Sequence, residues 1–193
     1  MVSHPVVSYP SLNRAGRALK AFSLLYLPFY GLSWDAFFSR FGLWAIIEAM
    51  FYEADELNEG KRTLRKPEAV LLAVERFLRG QGLFDAKCRA ELANAEKYFS
   101  FERSFRRRAP YTGAEVLKAA ALRSFDFRLL HRLLWKTMGR CYDERVFLAF
   151  HAFEELMELD DDLPSLEKDT RERTFNVCAA LLSLDASLLL AGC

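Results

Sequence analysis

Apolar residues recur at intervals of three and four along most of the chain, and no stretch alternates strictly, so the pattern predicts α-helices and no sheet. After a Pro-containing leader over 1–10, the spacing predicts helices near 11–29, 34–59, 67–80, 84–105, 112–138, 143–162 and 165–191. Local chemistry supports several of these limits. Ser33 precedes Trp34 as an N-cap, Pro67 suits a first helical turn with Glu68 behind it, and Thr112 stands three residues before Glu115 in capping-box order. Gly139 is a C-terminal stop. No fixed-period repeat or low-complexity linker divides the chain, which predicts one all-α domain over 1–193, an antiparallel helical bundle.

Composition narrows the class. With 52% hydrophobic and 27% charged residues among 193, the chain can bury a sizeable core without a disulfide or metal staple. Its 17 phenylalanines fill a core or also line an apolar pocket. A formal charge of +1 gives no global case for nucleic acid or an anionic membrane. The run Arg106-Arg107-Arg108 lacks interleaved aromatics and reads as a solvated helix end. Cys88, Cys141, Cys178 and Cys193 are widely spaced, without metal-site or CxxC spacing, and read as free thiols of the cytoplasm. The start lacks the pattern of a secretory signal, and 177–191, broken by Asp185, is too short for a membrane span.

Two acidic clusters carry the candidate chemistry. Glu48, Tyr52, Asp55 and Glu59 follow one another at four, three and four residues, so Asp55 and Glu59 share a helical face. Their oxygens would suit Mg2+, and Lys61, Arg62 and Arg65, close behind, would suit a diphosphate. The plainer alternative is a solvated helix end whose bases complement the macrodipole. In the second cluster, Glu154, Glu158, Asp161 or Asp162, Ser165 and Asp169 return to one helical face, an oxygen cage for a second cation. Phe150, Phe153, Leu156, Met157 and Leu159 supply apolar surface elsewhere on that helix. Pro164 predicts a bend, or a break with Asp162 or a neighbour capping a new helix. Between the clusters, Arg123, Arg128 and Arg132 stand at helical spacings with His131.

Asp55-Glu56-x-x-Glu59 resembles the aspartate-rich DDxxD motif of the class I isoprenoid synthases, the all-helical trans-prenyltransferases and terpene synthases. Asp161-Asp162-x-x-Ser165-x-x-x-Asp169 resembles their second motif, (N/D)DxxSxxxE, with Asp169 in place of Glu. The resemblance covers at most 34–178 and implies an isoprenoid-synthase-like bundle that ionises an allylic prenyl diphosphate with Mg2+. It implies Asp55, Glu59, Asp161, Ser165 and Asp169 as metal ligands and Arg123 or Arg128 as a catalytic arginine, while Lys61, Arg62 and Arg65 are diphosphate candidates by their proximity to the first motif. The chain is shorter than that family's members, with little left after 178 to close a site; a homodimer would supply what one copy lacks. The same features suit a catalytically silent helical protein that binds lipid or a partner. A third reading, a di-iron or di-manganese centre from Glu48, His151, Glu154, Glu155 and Glu158, meets a reversed His-x-x-Glu order.

Overall fold

A computed structural model of the chain describes residues 7–61, 66–139 and 143–191, and side chains as far as Leu184. The protein is all-α, as the periodicity predicts, with nine helices and no strand among the described residues. They are α1 (Tyr9–Tyr30), α2 (Trp34–Phe38), α3 (Phe41–Asn58), α4 (Pro67–Gly80), α5 (Ala86–Arg106), α6 (Gly113–Arg123), α7 (Phe125–Thr137), α8 (Glu144–Glu172) and α9 (Val177–Ala191). Contacts group the chain into two compact units, Met1–Leu92 with Leu129–Cys141, and Ala93–Arg128 with Tyr142–Cys193. Helices α5 and α7 each contribute residues to both.

In the first unit α1 packs on α3 and α3 on α4. Ala15, Leu19, Phe22 and Tyr26 form one stripe of α1, and all are fully buried with Trp44 and Ile47 of α3. The Phe22 ring stacks on Tyr26 at 4.2 Å and meets Trp44 at 5.9 Å. The start of α1 is pinned twice. Ser8 and Ser11 form a reciprocal capping box, and the buried Glu53 of α3 accepts from the Ser8 N–H at 2.9 Å and the Ser11 hydroxyl at 2.8 Å. Gly31 ends α1 at φ 60°, where a side chain would be strained.

The helix expected over 34–59 is interrupted between α2 and α3. The Ser39 hydroxyl donates to the Ala36 carbonyl at 2.8 Å, and the Arg40 guanidinium donates to the same oxygen and to Thr137 O, each at 3.0 Å. Side chains thus take up a carbonyl that the helix would otherwise use. Val70, Leu71, Val74 and Leu78 bury one face of α4, which starts at Pro67 as expected.

The part of α7 in this unit buries Leu129, Leu130, Leu133 and Leu134 almost completely, with His131 and Trp135 among them. Trp135 Nε1 can only donate, and lies 2.5 Å from the Tyr30 oxygen; the Tyr30 hydroxyl proton is then directed at His131 Nε2, 2.6 Å away. His131 accepts there and is neutral. Burial, reinforced by Arg132, lowers its pKa to about 3. The polar chain inside this apolar stripe therefore carries no charge.

Asp85 caps α5 by accepting from the Cys88 N–H at 2.8 Å, and Lys136 reaches Asp85 at 2.7 Å and the Leu83 carbonyl at 2.6 Å. Burial works to raise the Asp85 pKa, but Lys136 and the Cys88 N–H outweigh it and lower it to about 2. The same burial pushes the Cys88 thiol up to about 11, leaving it protonated and unreactive. A folded-state pKa below the unfolded value of about 3.9 means stability that is complete above that pH and disappears as pH falls towards 2. Lys136→Met should therefore lower the urea midpoint at pH 6, with the gap to the parent closing between about pH 4 and pH 2. A gap independent of pH would mean that the lysine acts through packing alone.

In the second unit α6, α8 and α9 pack on one another. Tyr98, Phe99, Phe125, Phe147, Phe150, Phe175 and Val177 are buried there. Thr112 and Glu115 form the expected capping box of α6. The single helix expected over 112–138 divides at Ser124, whose ψ is 28°. Arg128 Nη2 donates to the Leu122 carbonyl at 2.9 Å, so a guanidinium takes the place of the next helical N–H. Pro164 does not break α8, which runs on to Glu172. The carbonyl that a proline leaves without its helical donor is that of Asp160, an exposed residue, where water is available. The break comes instead at Arg173, at φ 58°. Among the described residues no helix is long and apolar enough to cross a membrane.

Candidate functional site

Asp55 and Glu59 lie one turn apart at the end of α3, half-buried, as the spacing predicts. Their charges already have counter-ions. Arg14 of α1 stands 3.5 Å from Asp55 and 3.6 Å from Glu56, with its guanidinium 4.1 Å above the Tyr52 ring. Lys61 pairs with Glu59. Burial opposes the Lys61 charge, but Glu59 and then Asp55 outweigh it and raise the pKa. Lys61 thus faces the acid row. Arg62 and Arg65 lie outside the described residues. Arg14, 41 positions before Asp55, carries no local sequence signal that would have linked it to this cluster.

The second cluster is a corner built from α6, α8 and α9. Seven residues are almost two helical turns, so Asp162 and Asp169 align with Ser165 between them and face inwards, both buried. Asp161, about 100° round the helix from Asp162, is exposed. Of the acids expected with Ser165, Asp169 is therefore on its face, while Asp162 takes the inward place assigned to Asp161.

Every oxygen of Asp162 has a partner within the protein. Oδ1 accepts from Arg123 Nη1 at 2.5 Å, Oδ2 from the Val177 N–H at 2.6 Å, and the backbone carbonyl from Asn176 Nδ2 at 2.7 Å. Asp169 Oδ2 accepts from the Ser165 hydroxyl at 2.5 Å and from Asn176 Nδ2 at 3.0 Å. Asn176 is itself the N-cap of α9, accepting from the Ala179 N–H at 3.0 Å. Asp162 thus places a carboxylate at the N-terminus of α9, where the helix dipole favours it. Asn176, which belongs to neither motif, locks the corner.

Arg123 spans Asp162 and Glu158, its Nε 2.9 Å from the latter. Arg128 is buried on the Leu122 carbonyl. Both arginines expected at a diphosphate are committed to the protein's own acceptors. Around them burial raises the Glu158 pKa against the pull of Arg123, and burial together with Glu158 raises that of Asp126 to about 7. For the di-metal reading, His151 Nε2 lies 3.1 Å from the Ala121 carbonyl and 3.2 Å from Glu155, so that nitrogen is already engaged.

The outward face of α8 is of a different kind. Leu148 is 56% exposed, Phe153 47%, Leu156 63%, Leu159 36% and Leu163 62%. Ala149, Ala152, Leu156, Leu159, Leu163 and Leu166 recur at three and four residues in strict alternation, the spacing that helix-pairing seams share. Beside it stand Glu155, Asp160 and Glu167. These leucines are visible in the sequence, but their spacing is that of any amphipathic helix, and only the fold shows that α6 and α9 cover the other side. No protein-family model matches the chain, and neither a curated protein nor a solved structure matches it.

Proposed function

We propose that this chain is a catalytically silent helical protein that binds a helix of another protein along the outward seam of α8. The observation that carries the reading is the row of exposed apolar side chains in helix-pairing register on one element. Its acidic borders favour a partner helix with an apolar stripe between basic residues. A second copy of the chain fits less well, since Glu155, Asp160 and Glu167 would meet like charges. The internal engagement of Asp162, Asp169, Arg123 and Arg128 supports a structural rather than catalytic use of the acidic motif.

The test uses a synthetic amphipathic peptide with leucine at the seam positions and lysine on both borders. It is expected to bind the protein in a fluorescence-anisotropy titration, and a peptide with glutamate on the borders to bind far more weakly. Leu156→Glu together with Leu163→Glu, both exposed changes, should weaken the lysine peptide by at least about tenfold, a loss of about 1.4 kcal/mol or more. Equal binding of both peptides, or insensitivity to the leucine changes, would sink the proposal. A thermal-shift series with geranyl and farnesyl diphosphate addresses the Mg2+-dependent enzyme reading: stabilisation that needs Mg2+ and disappears in Asp55→Ala would favour it instead.

A further inference from the structure

A second, independent feature lies in the same unit as α8 but on other helices. Between α5 and α6 is an open cavity of about 420 Å³, within the range of small-molecule sites. Its α5 wall is made by Lys97, Ser100, Phe101, Ser104 and Phe105, spaced three, one, three and one, so that one helical face is turned to it. The α6 wall includes Lys118, Ala119 and Leu122, and Ala109, Pro110 and Tyr111 close the end where the chain turns.

The two ends differ in chemistry. At the closed end Phe105 and Tyr111 are 5.3 Å apart, and the buried Phe175 meets Phe101 at 5.2 Å and Phe105 at 5.4 Å. Phe101, Phe105 and Tyr111 form an apolar floor, with Phe175 packed behind it. Lys97 lies eight residues from Phe105, about 12 Å along the helix, so its charge stands away from the closed end, while Lys118 stands on α6 near Glu115, whose ionised form it favours. The lining holds two lysines and one acid. Glu115 is fixed by Thr112, whose N–H and hydroxyl it accepts at 2.8 and 2.9 Å, and those bonds keep it ionised. Its charge cancels one lysine and leaves the lining a net single positive charge.

We infer that this cavity binds an amphiphilic monoanion, a long-chain carboxylate whose apolar body lies on Phe101, Phe105 and Tyr111 and whose head is met by Lys97 and Lys118. Apolar burial supplies the affinity, and the lysines select the anion over a neutral or cationic analogue. Charge complementarity over a shaped apolar surface selects this ligand, and neither the α8 seam nor the acidic corner takes part.

The test is isothermal titration of the intact chain with dodecanoate, dodecanol and dodecyltrimethylammonium. Dodecanoate should bind roughly tenfold or more tightly than dodecanol, a preference that shrinks in high salt, and the cationic analogue should bind weakest. Lys97→Gln with Lys118→Gln should remove the preference for the anion while dodecanol binding persists. Ser104→Trp, an exposed position on the cavity wall, should remove binding of both, with helicity by circular dichroism checked in each variant. Absence of dodecanoate binding, equal affinity for acid and alcohol, or binding that Ser104→Trp leaves intact would each overturn the proposal.

Discussion

Asp162→Ala is expected to destabilise the protein by about 3–5 kcal/mol, the range for removing one partner of a buried, hydrogen-bonded charge pair. The same change at Asp161, one residue away and exposed, should cost about 0.5 kcal/mol or less. The difference arises because Asp162 joins three elements. Its loss leaves the half-buried Arg123 guanidinium with Glu158 alone and the first N–H of α9 without its acceptor. Asp162→Asn keeps an acceptor of the same shape but removes the charge, and should fall between the two, at about 1–3 kcal/mol. Urea unfolding at constant m-value reads all three. A vacant metal ligand would behave in the opposite way. In metal-free protein its removal relieves repulsion among carboxylates, so Asp162→Ala would be neutral or stabilising until Mg2+ was added. The sign of the change separates a structural corner from a cation site.

The apolar period made the helices legible, and the caps Ser33, Pro67 and Thr112 stand where their chemistry puts them. The interruptions were not legible, because each depends on a contact made through space. Arg40 reaches Thr137, 97 residues away, and Arg128 turns back to Leu122. Neither residue is a helix breaker by propensity. Pro164 shows the reverse case, a strong local signal that the context overrides, because the affected carbonyl belongs to Asp160, an exposed residue of α8. At the acidic corner, residue types and spacing were visible, but not their partners. An aspartate that would hold a cation and one that holds Arg123 and a helix N-terminus look alike in sequence. Asn176 in particular carries no motif, and its role appears only when α8 and α9 meet.

Arg132→Ala should be as damaging as Asp162→Ala, for a related reason in the other unit. Arg132 Nε and Nη2 both lie 2.7 Å from Glu91 Oε1, joining α7 to α5, and both residues are buried. Truncating the arginine leaves Glu91 in the interior without that guanidinium, with an expected loss of about 3–5 kcal/mol. Glu91→Ala should cost a comparable amount, because the guanidinium is then the charge left behind. The informative variant is the double one. With Arg132→Met and Glu91→Leu together, neither charge is desolvated and much of the buried volume is kept, so stability should return to within about 1–2 kcal/mol of the parent. The cycle thus isolates the coupling between the two charges from the packing of their stems. Single and double losses that simply add would show that the pair contributes through its methylene contacts, and that the ion pair at this α5–α7 junction supplies no stability of its own.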